Sequence, residues 1–314
     1  MKERIRILLW VLPVTALFMA ACREAAERDG PVAEDERLVV YVVNYPLQYF
    51  AERIGAQQVE VYFPAPRDVD PAEWSPDDET ILRYQQADLI LLNGAGYARW
   101  AAHASLPPAR TVNTARNTED RLLEVPDAIV HSHGPGDAHT HAGTAFTTWL
   151  DPLLAIEHAR VVKDAFSQRL PAYADEFANR FEALASDLQN LDRELNEVVS
   201  QNPQQPLLAS HPVYHYLEDR YALRLESLHW EPDEMPSPSE WAALDEKLED
   251  HPAEWILWED EPLAESLALL EDRGVRSVVY NPSSQPPDSG DFLDVMHQNV
   301  ENLREAFHSS GMPR

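Results

Sequence analysis

Residues 173–199, YADEFANRFEALASDLQNLDRELNEVV, decide the fold. Tyr173, Phe177, Phe181, Leu184, Leu188, Leu191, Leu195 and Val198 recur at steps of three and four, which places them on one stripe of a single long helix. At 1.5 Å per residue, roughly 28 residues of helix span about 42 Å, enough to run the length of two lobes. A continuous helix is a stiff connector, so the parts it joins should move little when a ligand binds.

Toward the N-terminus, short apolar runs alternate with helical segments. The pattern predicts a strand over Leu38–Val43, a helix over Pro46–Ile54 closed by Gly55, and a strand over Val59–Phe63. A helix near Pro76 behind a Ser75 cap, a strand over Asp88–Asn93 and a short helix over Tyr97–His103 follow. Toward the C-terminus the same alternation gives strand Pro206–Ser210, helix Pro212–Tyr221, strand Leu223–Leu228 and a helix announced by Ser237-Pro238-Ser239-Glu240. That quartet is a capping box with Pro at the first helical position. Strand Trp255–Trp258, a helix ended by Gly274, strand Val275–Tyr280 and a last helix over Asp291–His308 complete the chain. Repeated βα units mean parallel sheets. The expected α/β fold therefore has two lobes, each with a mostly parallel four-stranded sheet flanked by helices, joined by one long rigid helix. The boundaries read 38–150 for the N-terminal lobe, 151–200 for helices including the connector, and 201–314 for the C-terminal lobe.

The first residues have the order of an export signal: Lys2, Arg4 and Arg6, an apolar run from Ile7 to Ala21, and small residues before Cys22. The run is shorter than the roughly 20 residues that a spanning helix needs. Residues 1–21 are thus expected to be a signal peptide and 22–37, polar and aperiodic, a flexible tether. Cys22 is the only cysteine, so no internal disulfide is available and the fold must rest on its core. The chain carries 25 basic and 54 acidic residues, a net charge of −29, and its only lysines are Lys2, Lys163 and Lys247. Such a surface repels nucleic acid and favours cations, although adaptation to salt or an acidic-surface habit explains it better than a cation-funnelling role.

His131, His133, His139 and His141 form an H-x-H-x5-H-x-H cluster among Gly134, Pro135, Gly136 and Gly143. Neutral imidazoles on a flexible loop bind zinc, copper and nickel, with protonation near pH 6 to 7 competing against the metal. The competing reading is a polar insertion whose histidines are incidental.

Several short motifs, in order, resemble the solute-binding lipoproteins of zinc- and manganese-type ABC importers. Asn44-Tyr45-Pro46-Leu47 is similar to that family's T-Y-P-L start, and Asp70-Pro71-Ala72-Glu73-Trp74-Ser75-Pro76 to its D-P-H-x-[FWY]-x-P loop. Ala87-Asp88-Leu89-Ile90 through Asn93-Gly94-Ala95-Gly96 is similar to its A-D-L strand and N-G turn. Trp149-Leu150-Asp151-Pro152 resembles its W-L-D-P element, and His211-Pro212-Val213-Tyr214 its H-x-x-[FY] element. The Met-Ala-Ala-Cys end of the apolar run resembles a lipobox, with Cys22 as the lipidated residue.

The resemblance implies an exported, lipid-anchored monomer, in the periplasm or on the outer cell surface, that hands a divalent metal to an ABC permease. It also implies one metal ligand from each of four loops. Those positions here are Ala72, Thr147, His211 and Asn281, and only His211 keeps a family ligand. Glu73, His215 and Glu259 are the substitutes within reach by sequence, each with a plainer reading as a surface acid or helix-surface histidine. A histidine-rich loop at this location marks the zinc-type members, so Zn2+ is expected ahead of Mn2+. The alternative is a structural or adaptor lipoprotein on the same fold that binds no metal. No G-x-S-x-G, H-E-x-x-H or P-loop motif occurs, and no enzyme is expected.

Overall fold

The computed structural model describes residues 37–125, 130–132, 138–140 and 143–308. Two four-stranded sheets organise it. In the first, β1 (Leu38–Val42), β2 (Val59–Tyr62), β3 (Leu89–Leu92) and β4 (Thr111–Asn113) run parallel in the order β2-β1-β3-β4. In the second, β9 (Pro206–Ala209), β10 (Arg224–Ser227), β11 (Trp255–Trp258) and β12 (Arg276–Val279) run parallel in the order β10-β9-β11-β12. Two antiparallel pairs lie between them in sequence. They are β5 (Glu124–Val125) with β8 (Gly143–Thr144), and β6 (Val130–Ser132) with β7 (Ala138–Thr140).

The long helix is α4, Ala174–Val199, of 26 residues. Its stripe from Phe177 to Val198 is buried throughout, and it packs along α3 (Pro152–Arg169) and α1 (Tyr45–Gly55). Phe177 packs against Phe166 of α3 with the rings tilted at 59° and their centroids 5.7 Å apart. The helix stays continuous because its interior holds no Pro or Gly, and Asp175 and Glu176 complement its N-terminal dipole. The helix α3 begins where Asp151 accepts hydrogen bonds from Leu153 N and Leu154 N ahead of Pro152, which is the physical content of the W-L-D-P element.

Several boundaries differ from the sequence reading. The helix expected behind Ser75 is α2, Asp78–Gln86, capped by Asp77, whose carboxylate accepts Thr80 N–H at 2.8 Å. Asp77 wins because its side chain reaches the third amide of a turn that starts beyond Pro76. Gly55 ends α1 without a left-handed φ; that conformation falls on Ala56, at φ 47°. Glycine is required at position 55 for space, since a Cβ would come within 2.2 Å of Val59. The segment near Tyr97 forms only a short 3-10 turn, Arg99–Ala102.

In the C-terminal half, helix α5 spans His215–Tyr221 rather than starting at Pro212. By contrast α6 (Pro238–Asp250) carries the capping box, with Ser237 Oγ accepting Glu240 N–H and Glu240 accepting Ser237 N–H. Helices α7 (Ala264–Glu271) and α8 (Phe292–His308) close the chain, and Gly274 at φ 77° turns it into β12.

Candidate metal centre

Strand order locates the site. In the second sheet β9 is joined to β10 on one side and β11 on the other, so the β9/β11 boundary is a switch point, beyond whose carboxyl ends parallel sheets open a crevice. His211 follows β9 by two residues and Glu259 follows β11 directly. His211 Nδ1 lies 3.0 Å from Glu259 Oε1, and Nε2 lies 3.8 Å from Glu231 Oε1. The His229 ring meets that of His211 edge-on, with centroids 6.3 Å apart at 85°. The His211 side chain is 12% exposed. Burial disfavours its charge, but the hydrogen bond and charge of Glu259, with Glu231 and Asp70 behind, outweigh that and raise its pKa.

Asp70, in the loop after β2, is exposed to solvent at its surface while protein groups crowd its other side. That crowding, with Glu259 and Glu73 as like charges, pushes its carboxyl up to about 6 against the opposing Ala72 N–H bond and His211. The Tyr97 hydroxyl is also driven well up, first by burial and then by the charge of Asp70. Its place is fixed by the turn after β3, where Gly94, Ala95 and Gly96 all take positive φ. A Cβ at Gly94 would press to 2.3 Å from Asn113 Oδ1. Asn93 then donates to Phe146 O and accepts from Asn44, which anchors the Thr147 segment to the first sheet.

The residues singled out by sequence fall in different places. Ala72 is buried and offers no donor. Glu73 is turned toward Arg99, at 3.7 Å, and reaches the centre only through its charge on Asp70. The Thr147 hydroxyl donates to Val213 O, so it ties two loops together. Asn281 Oδ1 accepts Ser283 N–H at 2.7 Å, where Ser283 is held at φ 58°, and Asn299 clamps the Asn281 backbone from both sides. Asn281 therefore shapes its loop. His215 opens α5, and because 211–214 are not helical it does not stack one turn below His211. His131 and His139 are Cα partners in the β6–β7 ladder. His133, His141 and Cys22 lie outside the described residues.

Of the substitutes offered by the sequence, Glu259 lies against His211, and Asp70, Glu231 and His229 are neighbours that the sequence reading does not single out. The signal for the last two was the alternation Leu228-His229-Trp230-Glu231, which continues the pattern of β10 past its last assigned residue, Ser227. The result is an imidazole in an acidic recess, an arrangement that attracts cations. Among the described residues, no group of three His, Cys, Asp or Glu side chains is drawn together tightly enough to hold an ion as it stands.

Known proteins share the sequence pattern and the fold of this chain. The zinc-binding lipoprotein AdcA of Streptococcus pneumoniae (strain R6) is 25% identical over 321 residues, covering 98% of this chain and 62% of the relative, so the chain spans under two thirds of that protein's length. The high-affinity zinc uptake system protein ZnuA of Bacillus subtilis is 24% identical over 309 residues, covering 95% of this chain and 96% of the relative. The crystal structure of Zn(II)-bound AdcA from S. pneumoniae shares the fold with a TM-score of 0.73 at 22% identity, over 88% of this chain and 59% of that one. The model of the family described as zinc-uptake complex component A, periplasmic, matches residues 40–306, and the chain belongs to that family.

Proposed function

We propose that this chain is an extracytoplasmic solute-binding lipoprotein that captures a divalent transition metal, zinc, and delivers it to an ABC permease. Family membership and the zinc-binding names of its relatives support the class of cargo. The observation that carries the reading is His211, poised at a switch point with carboxylates near both ring nitrogens. A metal-binding imidazole commonly donates its second N–H to a carboxylate, which fixes the tautomer and aims the other nitrogen at the ion. Glu259 stands where that partner belongs.

Residues 1–21 would serve as the export signal, Cys22 as the lipid anchor, and 22–37 as the tether. The four histidines of 131–141 would form an accessory collecting loop of modest affinity. Calorimetric titration of the chain from residue 22 with zinc tests the reading. In His211→Ala the tight binding event is expected to disappear, leaving only the weak uptake of the histidine loop. A parent protein that takes up no zinc overturns metal capture and leaves the adaptor alternative.

A further inference from the structure

His211 alone cannot make a zinc site, and the other three family positions hold Ala72, a Thr147 engaged with Val213 and an Asn281 engaged in its own loop. The neighbouring strand offers replacements. Ser227 and Leu257 are both register partners of Ala209, so the chain leaves β9, β10 and β11 side by side. The ladder continues beyond β10: Leu228 N donates to Ala209 O and Trp230 N to Ser210 O, each at 2.8 Å.

Period-two alternation then sorts the side chains. Leu228 and Trp230 enter an apolar cluster with Trp241 and Trp258, which leaves His229 and Glu231 on the opposite face, the one that carries the His211 ring. Two ligand atoms on a tetrahedral zinc stand about 3.3 Å apart and two imidazole centroids about 5 Å apart. Here Nε2 and Glu231 Oε1 are separated by 3.8 Å and the two rings by 6.3 Å. Closing each gap takes a side-chain movement on the order of 1 Å, well within rotamer adjustment about fixed backbones.

We infer that the zinc site of this chain has moved onto the C-terminal sheet, with His211 Nε2, His229 and Glu231 as ligands and Glu259 as the positioning residue on Nδ1. Asp70, whose charge acts on His211 from the loop after β2, is the carboxylate available for the remaining position. This rests on the metal-capture reading and deepens it by replacing three ligands the family pattern would supply.

The test uses the chain from residue 22 with His131, His133, His139 and His141 all changed to Asn, so that the loop contributes nothing. Zinc affinity is measured by competition with a chromophoric chelator, and coordination by X-ray absorption at the zinc edge. Glu231→Gln and His229→Asn are each expected to weaken binding at least tenfold. Glu259→Gln should weaken it roughly 10- to 100-fold while the two-imidazole spectrum persists. Glu231→Gln is isosteric and keeps the experiment decisive if His229→Asn melts early.

Unchanged affinity in Glu231→Gln, or a spectrum with a single imidazole, overturns the relocated site while zinc capture stands. So does loss of all binding in the loop-replaced parent when the unmodified chain binds. An unmodified chain that binds no zinc overturns both readings.

Discussion

His158 shows what a single buried titratable group contributes away from the site. Its two ring nitrogens lie 2.8 Å from Thr148 Oγ1 and 2.7 Å from Thr114 Oγ1, and burial alone pulls its pKa down from 6.5 to about 4. The neutral ring fits because one nitrogen donates and the other accepts. The unfolded chain takes up the proton first, so stability is full above pH 6.5 and drains as pH falls toward 4. A difference of that size corresponds to roughly 3 kcal/mol. Urea unfolding at pH 7, 5.5 and 4 should show this loss in the parent and a shallower slope in His158→Gln; equal slopes would refute the assignment. At the same scale, His211 was legible through its match to the H-x-x-[FY] element and Glu259 through its place at the end of the Trp255–Trp258 strand. Asp70 was not, because its side chain looks like any loop acid until the recess around it is known.

Elements were legible where periodicity was long and blurred where a cap or turn decided the boundary. The stripe of α4 needed no tertiary information, since nine of its side chains are buried and the spacing alone aligns them. The start of α5 needed it. Tyr214, which precedes the helix, is fixed by a hydrogen bond from its hydroxyl to Tyr280 O, and Arg220 and Tyr221 grip Asp192 of α4. Those long-range bonds set where α5 begins and so where His215 sits, and no local motif encodes them. The energetic weight of the stripe is measurable. Leu188→Ala, at a fully buried position of α4, should lower unfolding free energy by about 2–5 kcal/mol. Gln189→Ala, next to it on the exposed face, should stay within about 0.5 kcal/mol. Denaturant midpoints with unchanged slope would verify this, and equal effects at the two positions would contradict the helix register.

At the scale of the whole molecule the two sheets are sewn together on both sides of the recess. Trp149 Nε1 donates to Pro282 O at 2.7 Å, the Tyr216 hydroxyl bridges Leu123 N and Ala145 O, and Gln285 Nε2 donates to Pro66 O and Val69 O. Trp149 and Tyr216 are buried, so opening the molecule would strip these bonds and expose aromatic surface together. Long-helix connection and cross-links act in the same sense, against the hinge closure seen in binding proteins with flexible linkers. Metal capture at the site proposed above would then proceed by side-chain and loop adjustment at His211, His229 and Glu231. Small-angle scattering of the chain with and without zinc should give superimposable profiles, while hydrogen exchange should slow only around 70–73, 210–213, 228–231 and 259. A contraction of the whole particle on binding would show that α4 bends or that the cross-links break, and would return the problem to a hinge mechanism.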